Sequence, residues 1–298
     1  MKVLLAVSGG IDSMYMAERA PELFPGASFA VAHCNFGLRG AESDGDEAFV
    51  REWCSGKGLP LFVRHFDTAG YASGNGMSIE MAARELRYAW FDGLCASHGF
   101  DAVSVAHNAN DNAETFILNL LRGTGSRGLR GMGDRDLIVR PLLGISREEI
   151  TSWMHEKGLP WREDSSNSSS AYKRNRIRNE VFPVFKEINP SFLLSVRRAM
   201  EHISQVDDIA EDYFLGVRDS VCSGNIVSIK ALLRLAHPQY VLYRLVEPVG
   251  LSGTAFDNLW DMIVSGRQVG GRVFAGRRGE VRGQAGWRLC INLFDKSC

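Results

Sequence analysis

Residues 3–13, Val-Leu-Leu-Ala-Val-Ser-Gly-Gly-Ile-Asp-Ser, constrain this chain most: an apolar strand runs into a glycine turn, and a helical pattern begins at once. Such a joint gathers unpaired backbone N–H groups and the positive end of a helix dipole around one small space, which suits a phosphate. Gly9 and Gly10 let the main chain approach an anion closely, and the hydroxyls of Ser8 and Ser13 can donate to it; Ile11 lies between. Asp12 is the odd member. A carboxylate beside a polyphosphate is repelled unless a cation lies between them, so Asp12 points to Mg2+. The chain has no Gly-x-x-x-x-Gly-Lys-Ser/Thr run, which excludes the usual ATPase loop. A glycine-rich turn with no ligand is the plainer alternative.

The surrounding pattern sets the class. Strand signals at 2–7, 28–33, 60–65, 101–106 and 137–140 alternate with helical signals near 12–20, 42–56, 78–97, 110–121 and 146–157. The last helix opens with a Ser146-x-x-Glu149 capping box. This alternation predicts an α/β fold, a doubly wound, mostly parallel five-stranded sheet with ligands at the carboxyl ends of the strands. Gly70–Gly76 reads as a small-residue mobile loop, and 122–136, with five glycines, as a flexible binding loop or a linker. From about 191 the character changes to a long amphipathic helix (191–220), further helical segments at 229–236, 238–248 and 253–265, and a Gly/Arg-rich β element. These changes predict a catalytic domain at 1–190, a linking helical stretch at 191–204 and a smaller, mostly helical domain at 205–298.

With 298 residues, 45% apolar and 23% charged, the composition is that of an ordinary globular protein with one or two cores. No apolar run approaches the roughly 20 residues of a membrane span. The chain enters a strand at once, with no secretory signal expected. Six scattered cysteines with no Cys-x-x-Cys pair argue for a reducing cytoplasm and against a zinc ribbon. Net charge is −1, yet 122–147 holds six arginines against Asp134 and Asp136, and 162–198 is likewise basic. Two basic stretches in a near-neutral chain suit a polyanion, or simply a solvated face.

Further candidates fall at strand ends or on the next helix. His33 and Asn35 close the second strand, where they can hold a nucleoside, though His33 also reads as a structural strand-end histidine. Glu80, Arg84 and Arg87 share a helical face, and an arginine there can stabilise a transferring phosphoryl group; a surface Glu80–Arg84 pair is the alternative. His107 ends the fourth strand, and Asp111 and Glu114 follow at i, i+3, suited to holding Mg2+, to orienting an amine and taking its proton, or to capping. Asp164-Ser165-Ser166-Asn167 leads into Arg174, Arg176 and Arg178, whose forks suit phosphate.

Taken together, SGGIDS (8–13), HCNFGLRG (33–40), EMAARELRYAWF (80–91), AHNANDNAETFILNLLRGTGSRGLRGM (106–132), RPLL (140–143) and DSSNSSSAYKRNRIRNEVFP (164–183) resemble the ordered signature of the tRNA-Ile lysidine synthetase family, within the ATP-pyrophosphatase superfamily. The resemblance covers 1–185. It implies that ATP adenylates the wobble cytidine of tRNA-Ile with a CAU anticodon, releasing diphosphate, and that the amine of lysine then attacks the activated carbon and expels AMP. Residues 8–13 would hold the phosphates, with His33, Asn35 and His107 on the nucleotide. Asp12, Arg87, Asp111 and Glu114 would be catalytic, with Asp12 and Asp111 on Mg2+. Arg39, Arg84, Arg122, Arg174, Arg176 and Arg178 would face tRNA, and a homodimer is implied as in much of the superfamily. Two positions depart from the family pattern: Asn110 replaces an aspartate, leaving fewer expected metal ligands, and Phe36 replaces a frequent histidine. Many members also continue into a further C-terminal domain. The rival readings are a tRNA thiolase of the same superfamily, which would need paired sulfur ligands, and a binding protein that has lost catalysis.

Overall fold

Val3, Leu4 and Leu5 are all fully buried, so the first strand has no solvent face. Such a strand belongs inside a parallel sheet covered by helices on both sides, and β1 (Lys2–Ala6) lies there in the computed structural model, which describes residues 1–163, 173–267 and 269–294. With β2 (Ser28–Asn35), β3 (Leu61–His65), β4 (Ala102–Ser104) and β5 (Ile138–Val139) it forms a five-stranded sheet of order β3-β2-β1-β4-β5. All its pairings are parallel, as the alternation predicts. The chain winds outward from β1 to β3 and returns to place β4 on the other side of β1. The carboxyl ends of β1 and β4 therefore part at the switch point, where such sheets open a crevice.

Successive strand residues point to opposite faces. Val3, Leu5 and Val7 pack with α1 (Ile11–Glu18) and the short α2 (Ala20–Leu23), and with Val50 of α3 (Ala41–Lys57). Leu4 lies on the other face with Val103 and Val105. Gly70–Gly76, expected as a mobile loop, falls for the most part in helix α4 (Thr68–Gly74). Asp67 caps it by accepting from the Gly70 N–H at 2.9 Å, and a Cβ at Gly70 would stand 2.2 Å from that carboxylate. The small residues thus serve a tight cap. α5 (Ile79–His98) covers the Leu4 face with Trp90, Phe91 and Leu94.

α6 (Ala109–Leu121) follows β4, and its Ala113 and Ile117 begin a separate cluster with Ile177, Phe182 and Phe192. The glycine-rich segment after it is anchored to it and contains a helical turn, α7 (Ser126–Leu129). Asn119 donates to the Gly128 carbonyl at 2.8 Å, and Asn112 Oδ1 accepts from Met132 N at 2.6 Å. α8 (Arg147–Glu156) carries the expected capping box and buries Ile150 and Met154 with the Val3 face. Asp164–Asn167, expected as a polar turn, lie outside the described residues. Beyond them come α9 (Lys173–Arg176), a π-helical turn at Ile177–Val181, α10 (Phe182–Ile188) and α11 (Phe192–Val221).

The chain divides into two units, Met1–Ser204 and Gln205–Cys298. The second holds α12 (Ile229–Leu232), α13 (Pro238–Val246), α14 (Gly253–Val264) and more sheet than the sequence suggests. β6 (Cys222–Ser223), β7 (Ile226–Ser228), β8 (Val273–Ala275), β9 (Gly279–Gln284) and β10 (Arg288–Leu293) form an antiparallel sheet of order β6-β7-β10-β9-β8. Val227, Val281 and Leu289 close it over Val241, Leu242 and Leu259 of the helices. The β6–β7 hairpin escaped the periodicity because its strands are two and three residues long.

Candidate nucleotide site at the sheet switch point

Gly9 has φ +93°, a left-handed conformation that side chains rarely adopt, with Phe49 and Val50 each 3.5 Å from where a Cβ would stand. Its carbonyl accepts from Arg162 N at 2.9 Å, tying a distant segment to the loop. Ser13 Oγ donates to the Gly10 carbonyl at 2.8 Å and accepts from Ser8 N at 3.2 Å, while the Ser8 and Ser13 hydroxyl oxygens stand 3.1 Å apart. These bonds hold the loop in shape ahead of any ligand. Gly10 is the N-cap of α1 and has no side-chain cap, so the first amides of the helix are not taken up by one.

Above the loop lies a cavity of about 740 Å³, within the ordinary range for a small-molecule site. Ser8, Gly10, Ile11, Asp12 and Ser13 line it, whereas Gly9 serves the turn. Cys34 and Phe36, at the end of β2, form another side with Tyr88 and Phe91 of α5. Burial pushes the Cys34 thiol up to about 12, with Arg87 beside it working the other way. Phe36 stacks on Phe66 with centroids 5.4 Å apart, and the Arg87 guanidinium lies 5.2 Å over its ring. The departure from histidine thus builds an aromatic platform beneath Arg87, which lines the cavity as expected.

Asp12 accepts from Asn108 Nδ2 at 3.1 Å and from the Arg147 guanidinium. Burial raises its pKa, Arg147 opposes this, and the negative charge of Asp111 adds to the rise. Asp111 completes a reciprocal capping box with Asn108, so the capping reading holds alongside its other contact: Arg178 reaches Asp111 at 3.3 Å and Glu114 at 2.7 Å. Glu114 is fully buried, and its Oε2 has no hydrogen-bond partner among the described residues. Burial raises its pKa too, against the pull of Arg178. His107 lines the cavity with a buried Nδ1 that has no hydrogen-bond partner among the described residues, and burial pushes its pKa down to about 4. Asn110, where the family has an aspartate, turns away from these acids and accepts the Arg147 backbone N–H at 3.0 Å.

Several expected residues stand elsewhere. His33 is buried behind the loop with Nδ1 2.9 Å from the Val7 carbonyl, and burial lowers its pKa. Asn35 is saturated by Asp44, Glu47 and the Gly37 N–H. Neither lines the cavity. Of the arginines assigned to tRNA, Arg178 faces inward onto the acids and Arg174 onto Thr115 at 2.8 Å. Arg39 bonds Asp46 at 2.7 Å, Arg176 pairs with Glu180, and Arg84 lies over the Tyr88 ring. Arg122 is exposed and reaches Asn119 at 3.3 Å. Asn108, Arg147, Thr151, His155, Trp161 and Arg162 went unforeseen. Arg147, Thr151 and His155 at i, i+4, i+8 were legible as a helical stripe; Trp161 and Arg162 carry no local signal.

A phosphate-shaped loop at the switch point of a five-stranded parallel sheet defines a nucleotide-binding α/β protein. Residues 1–185 match the family model of the PP-loop domain, and the chain belongs to this family, whose members bind ATP. The tRNA(Ile)-lysidine synthase of Parabacteroides distasonis is 43% identical over 260 residues, covering 87% of this chain and 59% of that protein. The protein of that name from Porphyromonas gingivalis is 41% identical over 252 residues, covering 84% and 55%. The chain thus spans little more than half the length of these curated relatives. The U34-tRNA thiolase from Methanococcus maripaludis, solved with its 4Fe-4S cluster, superposes with a TM-score of 0.58 at 20% identity, over 68% of this chain and 71% of that one. At that identity the likeness concerns the fold.

Proposed function

We propose that this chain adenylates the wobble cytidine of a CAU-anticodon isoleucine tRNA with ATP and then joins lysine to the activated base. The observation that carries the reading is the acid pair Asp111–Glu114, held by Arg178 beside a PP-loop, in a chain about 40% identical to curated tRNA(Ile)-lysidine synthases. Ser8–Ser13 hold the diphosphate end of ATP through backbone N–H groups and hydroxyls. Arg87, fixed over Phe36, stabilises charge on the transferring phosphoryl group while diphosphate leaves. Glu114 and Asp111 orient the lysine amine and take its proton; burial makes Glu114 a stronger base than a surface carboxylate. Exposed arginines such as Arg122 and Arg176 meet the tRNA backbone.

Mg2+ fits this donor set. Asp12 and Asp111 stand close enough for the charge of one to raise the pKa of the other, which a divalent cation relieves. Among the described residues no three His, Cys, Asp or Glu gather as a metal group, so phosphate oxygens and water would complete the shell. When bound, the ion would supply charge neutralisation on the phosphates. The described residues include no helix long and apolar enough to cross a membrane, and Cys34, Cys54, Cys95, Cys222 and Cys290 are free, which suits the cytoplasm. The thiolase reading would need paired sulfur ligands, and among the described residues no three His, Cys, Asp or Glu side chains gather.

The test is radiolabelled lysine with ATP, Mg2+ and CAU-anticodon tRNA. Label should enter the tRNA, with diphosphate release dependent on that tRNA. No incorporation with all components present overturns the reading. Asp111→Ala should lose far more transfer than tRNA affinity; equal losses would make Asp111 a binding residue only.

A further inference from the structure

Helix α8 turns one stripe toward the cavity: Arg147, Thr151 and His155, a turn apart each. Its other side, Ile150 and Met154, is fully buried against the sheet. The stripe is held in place. Thr151 Oγ donates to the Arg147 carbonyl at 2.8 Å, and the His155 ring meets Trp161 edge-on at 4.9 Å. The start of the helix is occupied, because Ser146 and Glu149 cap it and Asn110 takes the Arg147 N–H. What α8 offers a ligand is therefore the Arg147 guanidinium, which lies on Asp12 across the mouth of the phosphate loop.

Charge decides where that guanidinium rests. Asp12 and Asp111 repel each other, and Arg147 pairs with one and Arg178 with the other. A bound triphosphate brings several negative charges, and any cation that accompanies it competes with Arg147 for Asp12. A planar guanidinium released beside phosphates matches two of their oxygens at once. Arg87 comes from α5, whereas Arg147 comes from α8 on the far side of the sheet.

We infer that Arg147 is the arginine of the terminal phosphates: it turns from Asp12 to the β- and γ-phosphates of ATP, then to the departing diphosphate. The inference rests on the reading of this cavity as an ATP site and is independent of the acceptor substrate.

AMP lacks the groups that Arg147 would touch, which supplies the test. Calorimetric titrations of the full chain with ATP, diphosphate and AMP are compared for the unaltered protein, Arg147→Met and Arg147→Lys. Arg147→Met should weaken ATP and diphosphate at least about tenfold and leave AMP within about twofold. Arg147→Lys keeps the charge without the fork and should fall between. An equal loss for AMP would assign Arg147 to the architecture of the cavity and overturn the inference, as would unchanged ATP and diphosphate affinities. Where Arg147→Met melts too low to titrate, Arg147→Lys decides by the same contrast. Lysine incorporation by the unaltered protein is scored separately: binding of ATP without transfer defeats the proposed function and leaves Arg147 to be judged on its titrations.

Discussion

Two arginine–carboxylate clusters in this protein use the same groups to opposite ends. In the first unit, Arg178 and Arg147 hold Glu114, Asp111 and Asp12 beside the cavity. In the second, Arg244 bonds Glu211 at 2.5 Å and the Tyr240 hydroxyl at 2.9 Å, and lies 4.7 Å over the Phe214 ring with its side chain 5% exposed. Burial opposes the charge of Arg244, yet Glu211 and Tyr240 raise its pKa. Around Glu114 the balance is reversed: burial wins and the pKa of the acid is raised, whereas both clusters keep one buried atom without a hydrogen bond among the described residues, Glu114 Oε2 and Arg244 Nε, the latter 3.4 Å from Glu247. An acid held above its ordinary pKa near the cavity that Asp12 and Arg147 line is poised for chemistry, and an arginine held firmly charged braces a core.

The largest effect expected of this contrast is on Glu114. Glu114→Gln should lower lysine transfer at least about a hundredfold. Its stability should change by no more than about 1 kcal/mol, because the amide keeps the shape and can still accept from Arg178, which retains Asp111 as its counter-charge. Rates and melting curves on the same samples decide. A stability loss of several kcal/mol with activity falling in proportion would make the cluster a brace and end the distinction.

Arg244→Met should do the opposite, costing about 2 kcal/mol because Glu211 and Glu247, 34% and 32% exposed, lose a buried counter-charge. Denaturant titration reads this, and transfer per folded molecule should persist. His107 gives a smaller effect, confined to acid. Its folded pKa is about 4 against an ordinary 6.5, so the fold prefers the neutral ring. The stability it supports is present above pH 6.5 and lost as pH falls toward 4, since the unfolded chain takes the proton first. His107→Gln should remove about 2 kcal/mol of that acid loss from melting curves, and an unchanged pH dependence would exclude His107 as its source.

The smallest effect places the glycine-rich segment on one side of the contrast. Gly131 has φ +81°, and a Cβ there would stand 2.5 Å from Met200 Sδ and 2.9 Å from Asn112 Oδ1. Gly131→Ala should cost about 1 kcal/mol in thermal melts if the segment is braced as the Asn112 and Asn119 bonds suggest. No change would mean that the segment yields.

The legible parts of this protein were those whose signal is local. The five parallel strands and the helices between them follow from hydrophobic period, and the Ser146 cap from residue type. The phosphate loop announces itself because strand, glycine and helix start are contiguous. Gly70–Gly76 was misread because small residues resemble a loop until Asp67 is seen to cap the helix most of them belong to. The inward turn of Arg174 and Arg178 had no such local signal, since charge in a sequence looks outward. Only the packing of the π-helical turn near α6 shows Arg178 meeting Glu114 and Asp111.

The sequence by itself determined the sheet, the place of the loop and the residue types gathered near it, because these depend on neighbours within a few turns of chain. Only the tertiary structure decided which charges meet. Asp12 and Arg147 lie 135 residues apart, and Arg178 and Glu114 lie 64 apart. Such pairs form through the winding of the sheet and the desolvation of its crevice, and no local pattern records either.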